Sequence, residues 1–499
     1  MEEKQNNNKL TDIALLRKIA DAQMLEKKLL IDFPPEVVSE KAALKAPVID
    51  ASASGYRDVR DLLWASIDND DSLDLDQLTA AEKLDNGSVR ILVAVADVDV
   101  LVPRGSAIDT HAEHNTSTVY TAGKIYPMIP VGLSTGLTSL NFNEDRYAMV
   151  VDMVIDSVGK IAHYELYQAI VRNHAKLAYN SVAAWLDGKG EEPAAITAVP
   201  GLAESIRLQH ETSQKMRAIR DRNGALTLET IQTKAVFKDG YIVDLEVDGP
   251  NCAKELIEDF MIAANNSTAR FLDSHGYPSI RRVVRIPDRW KKIVELAAEY
   301  DFDLRRKPDV ISLNTFLLEQ KRKDPLRFPD LSLTVIKLLG SGEYIAEKQG
   351  MKAPGHFSLA IKDYTHSTAP NRRYPDLITQ RIVKACLAGQ SSPYTFEELE
   401  GLAYHLTDQE DIITKVERSV NKSAAALLLK PRIGDLFNGL VTGVSDKGTW
   451  VRILEIPVEG KLIGGSSGVE IGERITVKLV SVNPQKGFID FIRMRTRRK

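Results

Sequence analysis

Apolar positions along the chain fall into three kinds of pattern. Leu10, Ile13, Leu16, Ile19 and Met24 recur at helical spacing and predict a helix, which Pro34-Pro35 then breaks. A second short amphipathic piece follows at about Val37 to Leu44. From about residue 47 to 425 strand-like and helix-like stretches alternate. Val89, Ile91, Val93 and Val95 alternate with other residues in a run that is apolar as a whole, which predicts a strand buried on both faces. Met149 to Ile155 and Ile161 to Val171 read as strands around a Ser157/Gly159 turn, and Asp239-Gly240 separates two further strand-like runs as a hairpin turn. Residues 251–274, a stretch around Trp290, Ile293, Val294 and Ala297, then 376–388 and 395–428 predict helices, the first ending near Gly276. This region reads as mixed α/β around one continuous core.

The final stretch is different. Short strand-like runs at Gly434 to Val441, Gly448 to Ile453 and Arg474 to Leu479 are punctuated by glycine, which predicts a small all-β barrel. The pattern divides the chain into an N-terminal helical segment (1–46), an α/β (α+β) unit (47–428) and the barrel with a basic tail (429–499).

Composition changes this picture little. The 499 residues are 43% hydrophobic and 27% charged, ordinary values for a globular chain with a sizeable core. No apolar run reaches the ~18 residues of a membrane span. The start, MEEKQNNNKL, resembles neither a secretory signal nor a transit peptide, and the two cysteines, Cys252 and Cys386, have no metal-ligand spacing. A cytoplasmic setting is the expectation. The net charge of -4 offers nothing to a nucleic acid, but its distribution does. From Lys430 onward thirteen Lys/Arg stand against seven Asp/Glu, and five of those cations fall within Arg493 to Lys499. Such a tail suits a polyanion; the plainer and less favoured reading is a solvated terminus that only aids solubility.

Two constellations carry chemistry. Asp68, Asp70, Asp71, Asp74 and Asp76 crowd into one short segment, and crowded carboxylates stay ionised together most readily around a cation. Oxygen-only ligands point to a hard metal, Mg or Mn, rather than zinc. An EF-hand calcium loop is excluded because Leu73 stands where its glycine and Thr79 where its terminal glutamate belong. An acidic surface turn is the plain alternative; against it, Leu73 and Leu75 are expected to anchor the loop and aim Asp74 and Asp76 together. The second constellation is Tyr364 to Asp376, where Arg372-Arg373 lies between Pro370 and Pro375. Paired guanidiniums on a stiffened loop suit a phosphate, or else internal carboxylates.

Together these residues resemble the RNase II / RNase R (RNB-type) family of exoribonucleases. Ile67-Asp68 with Asp74-Leu75-Asp76 resembles the family's metal signature, Val95-Ala96-Asp97-Val98 the strand after it, and Tyr120 to Pro130 the segment bearing an aromatic clamp. Glu258 to Asn265 and the arginine loop resemble two further signatures, and the terminal barrel resembles the RNA-binding OB module of the ribosomal S-one type. The resemblance implies a hydrolase that shortens single-stranded RNA from a free 3′ end and releases 5′-nucleoside monophosphates. It implies Asp68, Asp74 and Asp76 as metal ligands, with Asp74, Asp76 and Arg372 catalytic. Tyr120 would stack on the last nucleotide and set the final product length. Arg372 would hold the phosphate with Arg373 beside it, and Glu417 and Glu258 would lie near the RNA 3′ end. A monomer with Mg (or Mn), no nucleotide cofactor and no membrane association is expected.

This chain departs from the family pattern in places. Gln77 follows Asp76 where a second aspartate is common, and Asn371 and Ser367 replace commoner apolar or aromatic residues. Residues 1–46 leave no room for two N-terminal cold-shock barrels, so a weaker grip on long RNA and easier approach to duplexes are expected. Gln77 also motivates the competing reading, a catalytically impaired RNA-binding protein that kept the fold.

Overall fold

The computed structural model describes residues 10–50 and 55–494. The cations at Arg495, Arg497, Arg498 and Lys499 in the basic tail therefore lie outside the described residues. Two helices, α1 (Asp12–Glu26) and α2 (Pro35–Ala43), come first, and Pro35 opens the second at a position where the missing N–H costs nothing. Next come β1 (Tyr56–Asp58), β2 (Ala65–Asp68), β3 (Gln77–Lys83) and β4 (Val89–Ala96). Helix α3 (Ala107–Asn115) leads to a two-strand ribbon, β5 (Val119–Tyr120) and β6 (Ile125–Tyr126). Strands β7 (Asp145–Ile155), β8 (Ile161–Arg172) and β9 (Ala175–Ala178) complete a seven-stranded sheet in the order β1-β8-β7-β4-β3-β2-β9. Strand β4 sits at its centre and is buried at every position but Arg90, as its largely apolar run requires.

Helices α4 (Tyr179–Leu186), α5 (Ala194–Thr197) and α6 (Leu202–Arg222) follow. The hairpin of β10 (Thr233–Lys238) and β11 (Tyr241–Val247) turns at Asp239 (φ 52°) and Gly240 (φ 80°), the paired positive angles of a twist-matched two-residue turn. Helix α7 (Cys252–Ser274) is closed by Gly276 at φ 75°. Helices α6 and α7 share one hydrophobic core with the sheet. Between β12 (Ser279–Val283) and its antiparallel partner β13 (Glu343–Glu347) the chain inserts α8 (Trp290–Ala298), α9 (Val310–Lys323) and α10 (Phe328–Leu339). These three helices pack around their own cluster of Trp290, Phe316, Phe328 and neighbouring leucines. The expected single continuous core is therefore corrected. Apolar surface divides among the sheet core, the insertion, the barrel and a layer where α1 meets the ribbon and the last long helix.

Helix α11 (Tyr374–Leu387) starts at the end of the arginine loop, and α12 (Phe396–Leu429) runs for 34 residues to the C-terminal barrel. That barrel consists of β14 (Leu436–Ser445), β15 (Gly448–Ile453), β16 (Glu459–Gly464), β17 (Arg474–Asn483) and β18 (Phe488–Arg493), closed in the order β14-β15-β16-β18-β17. Closure removes the sheet edges that so small a unit would otherwise expose. Among the described residues no helix is long and apolar enough to cross a membrane.

Candidate active site

The loop between β2 and β3 carries the aspartates, and it is pinned from an unexpected quarter. Ser139 accepts from the Leu75 N–H (2.9 Å) and donates to the Leu73 carbonyl (3.0 Å), while the Leu140 N–H donates to the Leu75 carbonyl (2.9 Å). Leu75 is buried as expected, but Leu73 is 62% exposed, so the anchor is one leucine and one serine rather than two leucines. A serine 64 residues away carries no local signature, which is why the sequence did not reveal it.

The arginine loop closes over Asp76. The Asn371 backbone N–H donates to Asp76 Oδ1 (3.0 Å) and Arg372 Nε donates to Asp76 Oδ2 (3.0 Å). Burial pushes the Asp76 carboxyl up to about 6, with Arg372 and the Asn371 N–H opposing and Asp74 adding to the rise. Burial also raises Asp68, again opposed by its own hydrogen bonds and Arg372 and reinforced by Asp74. Burial works against the charge of Arg372, but Asp76, Tyr120 and Asp68 together outweigh it and hold the guanidinium firmly ionised. Asp68, Asp74, Asp76 and Arg372 thus share one electrostatic neighbourhood. Among the described residues no three His, Cys, Asp or Glu side chains converge closely enough to hold a metal ion. The donor set nevertheless fits a hard cation in kind. It is all oxygen, and Asp74 raises the proton affinity of both Asp68 and Asp76, a repulsion that a cation would relieve.

Arg373 follows the internal-pairing alternative. Its Nη2 donates to Asp376 Oδ1 (2.8 Å), and that fully buried carboxylate also accepts from the Thr368 (2.7 Å) and Ala369 (2.8 Å) N–H groups. One aspartate in the first turn of α11 therefore shapes the whole loop. The loop is stitched on its other side to the strand leading into Tyr120. The Thr118 N–H (3.0 Å) and the Ser117 hydroxyl (2.9 Å) both donate to the Arg372 carbonyl, and the Tyr374 N–H donates to the Thr116 carbonyl (2.8 Å). Gln77 donates its side-chain amide to the Thr368 carbonyl, so this neighbour of Asp76 ties β3 to the arginine loop.

Tyr120 stands between the aspartates and α12. Its hydroxyl donates to Asp74 Oδ2 (3.2 Å), its backbone N–H donates to Glu417 Oε1 (2.8 Å), and the residue is 41% exposed. Burial, then the charge of Asp74, pushes its phenol up, so the hydroxyl keeps its proton and remains a donor. Burial raises Glu417 as well, opposed by that backbone N–H. A cavity of about 230 Å³ opens here, lined by Tyr120, Arg372, Arg373, Tyr344, Glu410 and Glu417 among others. Glu410, Ile413, Thr414 and Glu417 reach it from a single face of α12, the face their spacing defines. Glu410 pairs with Arg282 Nη1 (2.5 Å), and burial raises its carboxyl. Tyr344 hydrogen-bonds His366 Nδ1 (2.9 Å), and burial beside Arg373 and Arg282 keeps that histidine neutral. Glu410, Tyr344 and His366 were not anticipated. The helical register with Glu417 is the one signal that points to Glu410.

The structure therefore brings Asp74, Asp76, Tyr120, Arg372, Arg373 and Glu417 to one place, with Asp68 at its margin. Glu258 is exposed on α7 and is not part of the cavity wall, although its charge reaches Tyr364 and Asp259.

Comparison with known proteins agrees with this architecture. The RNB domain family model matches residues 56–389, and the model of the RNase II-type exonuclease C-terminal S1 domain matches 435–493. Ribonuclease R 1 of Lactococcus lactis is 28% identical over 92% of this chain and 59% of its own length. Ribonuclease R of Thermotoga maritima is 30% identical over 92% of this chain and 68% of its own. This chain thus spans about 59 to 68% of the length of these relatives. Two solved structures of Mycoplasma genitalium RNase R are similar across 96% of this chain. The complex with ribose-methylated single-stranded RNA has TM-score 0.87, 24% identity and 78% of that chain covered. The complex with double-stranded RNA has TM-score 0.85, 25% identity and 83% covered.

Proposed function

Because the chain belongs to the RNB-domain family, we propose that it is an exoribonuclease that shortens single-stranded RNA from a free 3′ end and releases 5′-nucleoside monophosphates. The observation that carries this reading is the arginine loop itself. It holds Arg372 against Asp76 on one side and is hydrogen-bonded to the strand bearing Tyr120 on the other, so phosphate-binding, carboxylate and stacking groups are fixed in one frame.

Each side chain then has a task. Tyr120 stacks on a terminal base, worth ~1–3 kcal/mol. Glu417, next to it, accepts from a ribose hydroxyl, which favours RNA over DNA. Arg372 commits its Nε to Asp76 and keeps its remaining N–H donors for the oxygens of the scissile phosphate, where negative charge grows as the bond breaks. Arg373 adds positive potential from behind. Glu258, exposed on α7, would meet the nucleotide only at the rim of the site. Asp68, Asp74 and Asp76 would hold magnesium, or manganese, which when bound supplies a hydroxide-like water and neutralises phosphate charge. The barrel would grip the RNA upstream. We take the protein to act as a monomer in the cytoplasm without a nucleotide cofactor.

The test is incubation of 5′-labelled oligo(A) with Mg or Mn. Stepwise 3′ shortening that stops in EDTA is expected, and the Asp76→Asn variant should lose about a hundredfold or more of it. A second reading, RNA binding without turnover, is favoured by Gln77, whose amide already serves the Thr368 carbonyl. RNA bound but left intact by the wild type in every divalent metal would establish that reading and overturn the first.

A further inference from the structure

Helix α1 lies outside both matched regions, which begin at residue 56 and at residue 435. It is nevertheless built into the wall behind Tyr120. Leu16, Ile19, Ala20 and Met24 of α1 are buried in one cluster with Val119 and Tyr126, the cross-strand pair at the base of the ribbon that carries Tyr120, and with Val416 and Val420 of α12. Arg17 Nε donates to the Gly123 carbonyl (3.1 Å) at the ribbon's tip. Tyr126 donates its hydroxyl to Asp21 Oδ1 (2.7 Å), and Lys124 pairs with the same carboxylate (3.5 Å). Gly123 shows how close the approach is. A Cβ there would sit 2.7 Å from the Arg17 nitrogen and 2.7 Å from the Leu16 carbonyl carbon, backbone atoms that cannot step aside.

The ribbon is thus clamped between two helices. Helix α12 holds its inner side through Glu417 and the Tyr120 N–H (2.8 Å), and α1 holds its outer side through Arg17 and Asp21. Helix α1 also touches the β10–β11 hairpin, where the Ile13 N–H donates to the Gly240 carbonyl (3.1 Å) and the Ile242 N–H donates to Asp12 (3.1 Å). That hairpin reaches the aspartate loop through Lys234 and Asp71 (2.6 Å). A short ribbon held at its base by Val119 and Tyr126 and at its tip by Gly123 leaves Tyr120 little freedom, and a stacking platform is only as good as its fixed position.

We propose that α1 is a positioning element for the substrate clamp: through Arg17, Asp21 and its contact with Gly123 it holds the Tyr120 ribbon at the distance that lets the tyrosine stack on the terminal nucleotides. The inference rests on Tyr120 being the base-stacking residue. Arg17 is an exposed side chain, so its loss acts on the ribbon rather than on the core.

The test uses the full chain and two readouts. One is the length of the final product from 5′-labelled oligo(A) of about thirty nucleotides. The other needs no catalysis: the fluorescence of a 3′-terminal 2-aminopurine in RNA bound in EDTA, which rises when the base unstacks. Arg17→Ala and Gly123→Ala should raise that fluorescence and lengthen the final product by at least one nucleotide. They should raise KM for a very short oligonucleotide about five- to tenfold, the equivalent of losing much of one stacking interaction. The kcat on the long substrate should stay within about twofold. Arg17→Lys, which keeps a donor for the Gly123 carbonyl, and Lys18→Ala, which removes a neighbouring exposed charge, should behave as wild type. Tyr120→Ala sets the ceiling, and adding Arg17→Ala to it should change nothing more. If Tyr120→Ala shifts both readouts and Arg17→Ala shifts neither, α1 is not a positioning element and the inference falls alone. If Tyr120→Ala shifts neither, the stacking role falls and this inference with it. Should Gly123→Ala not fold, Arg17→Ala and its lysine rescue decide the matter.

Discussion

Asp76 is 2% exposed and faces an arginine, and its proton affinity still rises, because the cost of burying a carboxylate exceeds what one guanidinium and one N–H return. The folded protein therefore holds this proton more tightly than the unfolded chain does, about 6 against 3.8. The contribution to stability is greatest below pH 3.8, falls as pH rises through the interval, and is gone above about 6. A shift of this size corresponds to roughly 3 kcal/mol at most. In EDTA, the difference in denaturation free energy between Asp76→Asn and wild type should grow in favour of the variant between pH 4.5 and 7.5, and saturating Mg should reverse much of that difference. A pH-independent difference would show that Asp76 is not the strained group. Gln77 makes a complementary case. A carboxylate cannot donate to the Thr368 carbonyl, so Gln77→Asp should cost about 1–2 kcal/mol in EDTA, a fall of a few degrees in Tm, while tightening Mn binding measured by calorimetry. No loss of Tm would mean that the tether is idle. At this scale the sequence showed what is contiguous. The aspartates and Arg372-Arg373 could be read directly, whereas Ser139 under Leu75 and the Asn371 N–H on Asp76, 295 residues away, could not.

At the scale of elements, legibility followed the strength of the local code. Asp239-Gly240 specifies a turn through two positive backbone angles, Gly276 ends α7, and the apolar run of β4 places it at the sheet centre, so each could be read from a few residues. The insertion of α8, α9 and α10 between two paired strands is a long-range event, and its separate core carries no mark that distinguishes it from the main one. The position of α1 against the ribbon was hidden for the same reason, since Gly123 reads as a turn residue until its neighbour is known. Helix α12 has the clearest local signal, a capping box in which Thr395 accepts from the Glu398 N–H (3.2 Å) and Glu398 accepts from the Thr395 N–H (2.8 Å). Thr395→Ala should lower stability by about 1 kcal/mol. It should leave product length unchanged, because the cap lies about six turns from Glu417 along the helix. A change in product length would mean that fraying at the cap reaches the cavity, contrary to the packing of Leu399, Ala403 and Leu406 in the main core.

Across the whole molecule, α12 is the rod that links the cavity to the barrel. One stretch of it lines the cavity through Glu410 and Glu417, and its last turns bury Ala425, Ala426 and Leu429 in the core of the barrel. A single helix would let the barrel swing, but a second attachment opposes that. Arg452 of β15 makes a two-pronged pair with Asp330 of α10 (Nη2 to Oδ2 2.8 Å, Nε to Oδ1 3.2 Å) and also donates to the Leu326 carbonyl (3.2 Å). Arg452 is 9% exposed, so this contact is stronger than a surface ion pair and geometrically specific. If the barrel binds RNA upstream of the cavity, its orientation matters only to an RNA long enough to touch both. Asp330→Asn keeps the shape of the contact and removes its charge. It should weaken binding of an oligo(A) of about twenty-four nucleotides several-fold in EDTA, measured by fluorescence polarisation, and leave a five-nucleotide RNA unaffected. The slope of log affinity against log salt for the long RNA should become shallower by about 0.7 for each phosphate contact released. On the proposed reading the short RNA is held only in the cavity, and it should keep its slope. Equal weakening at both lengths would place the effect of Asp330 in the catalytic unit and remove the barrel from the path of the RNA.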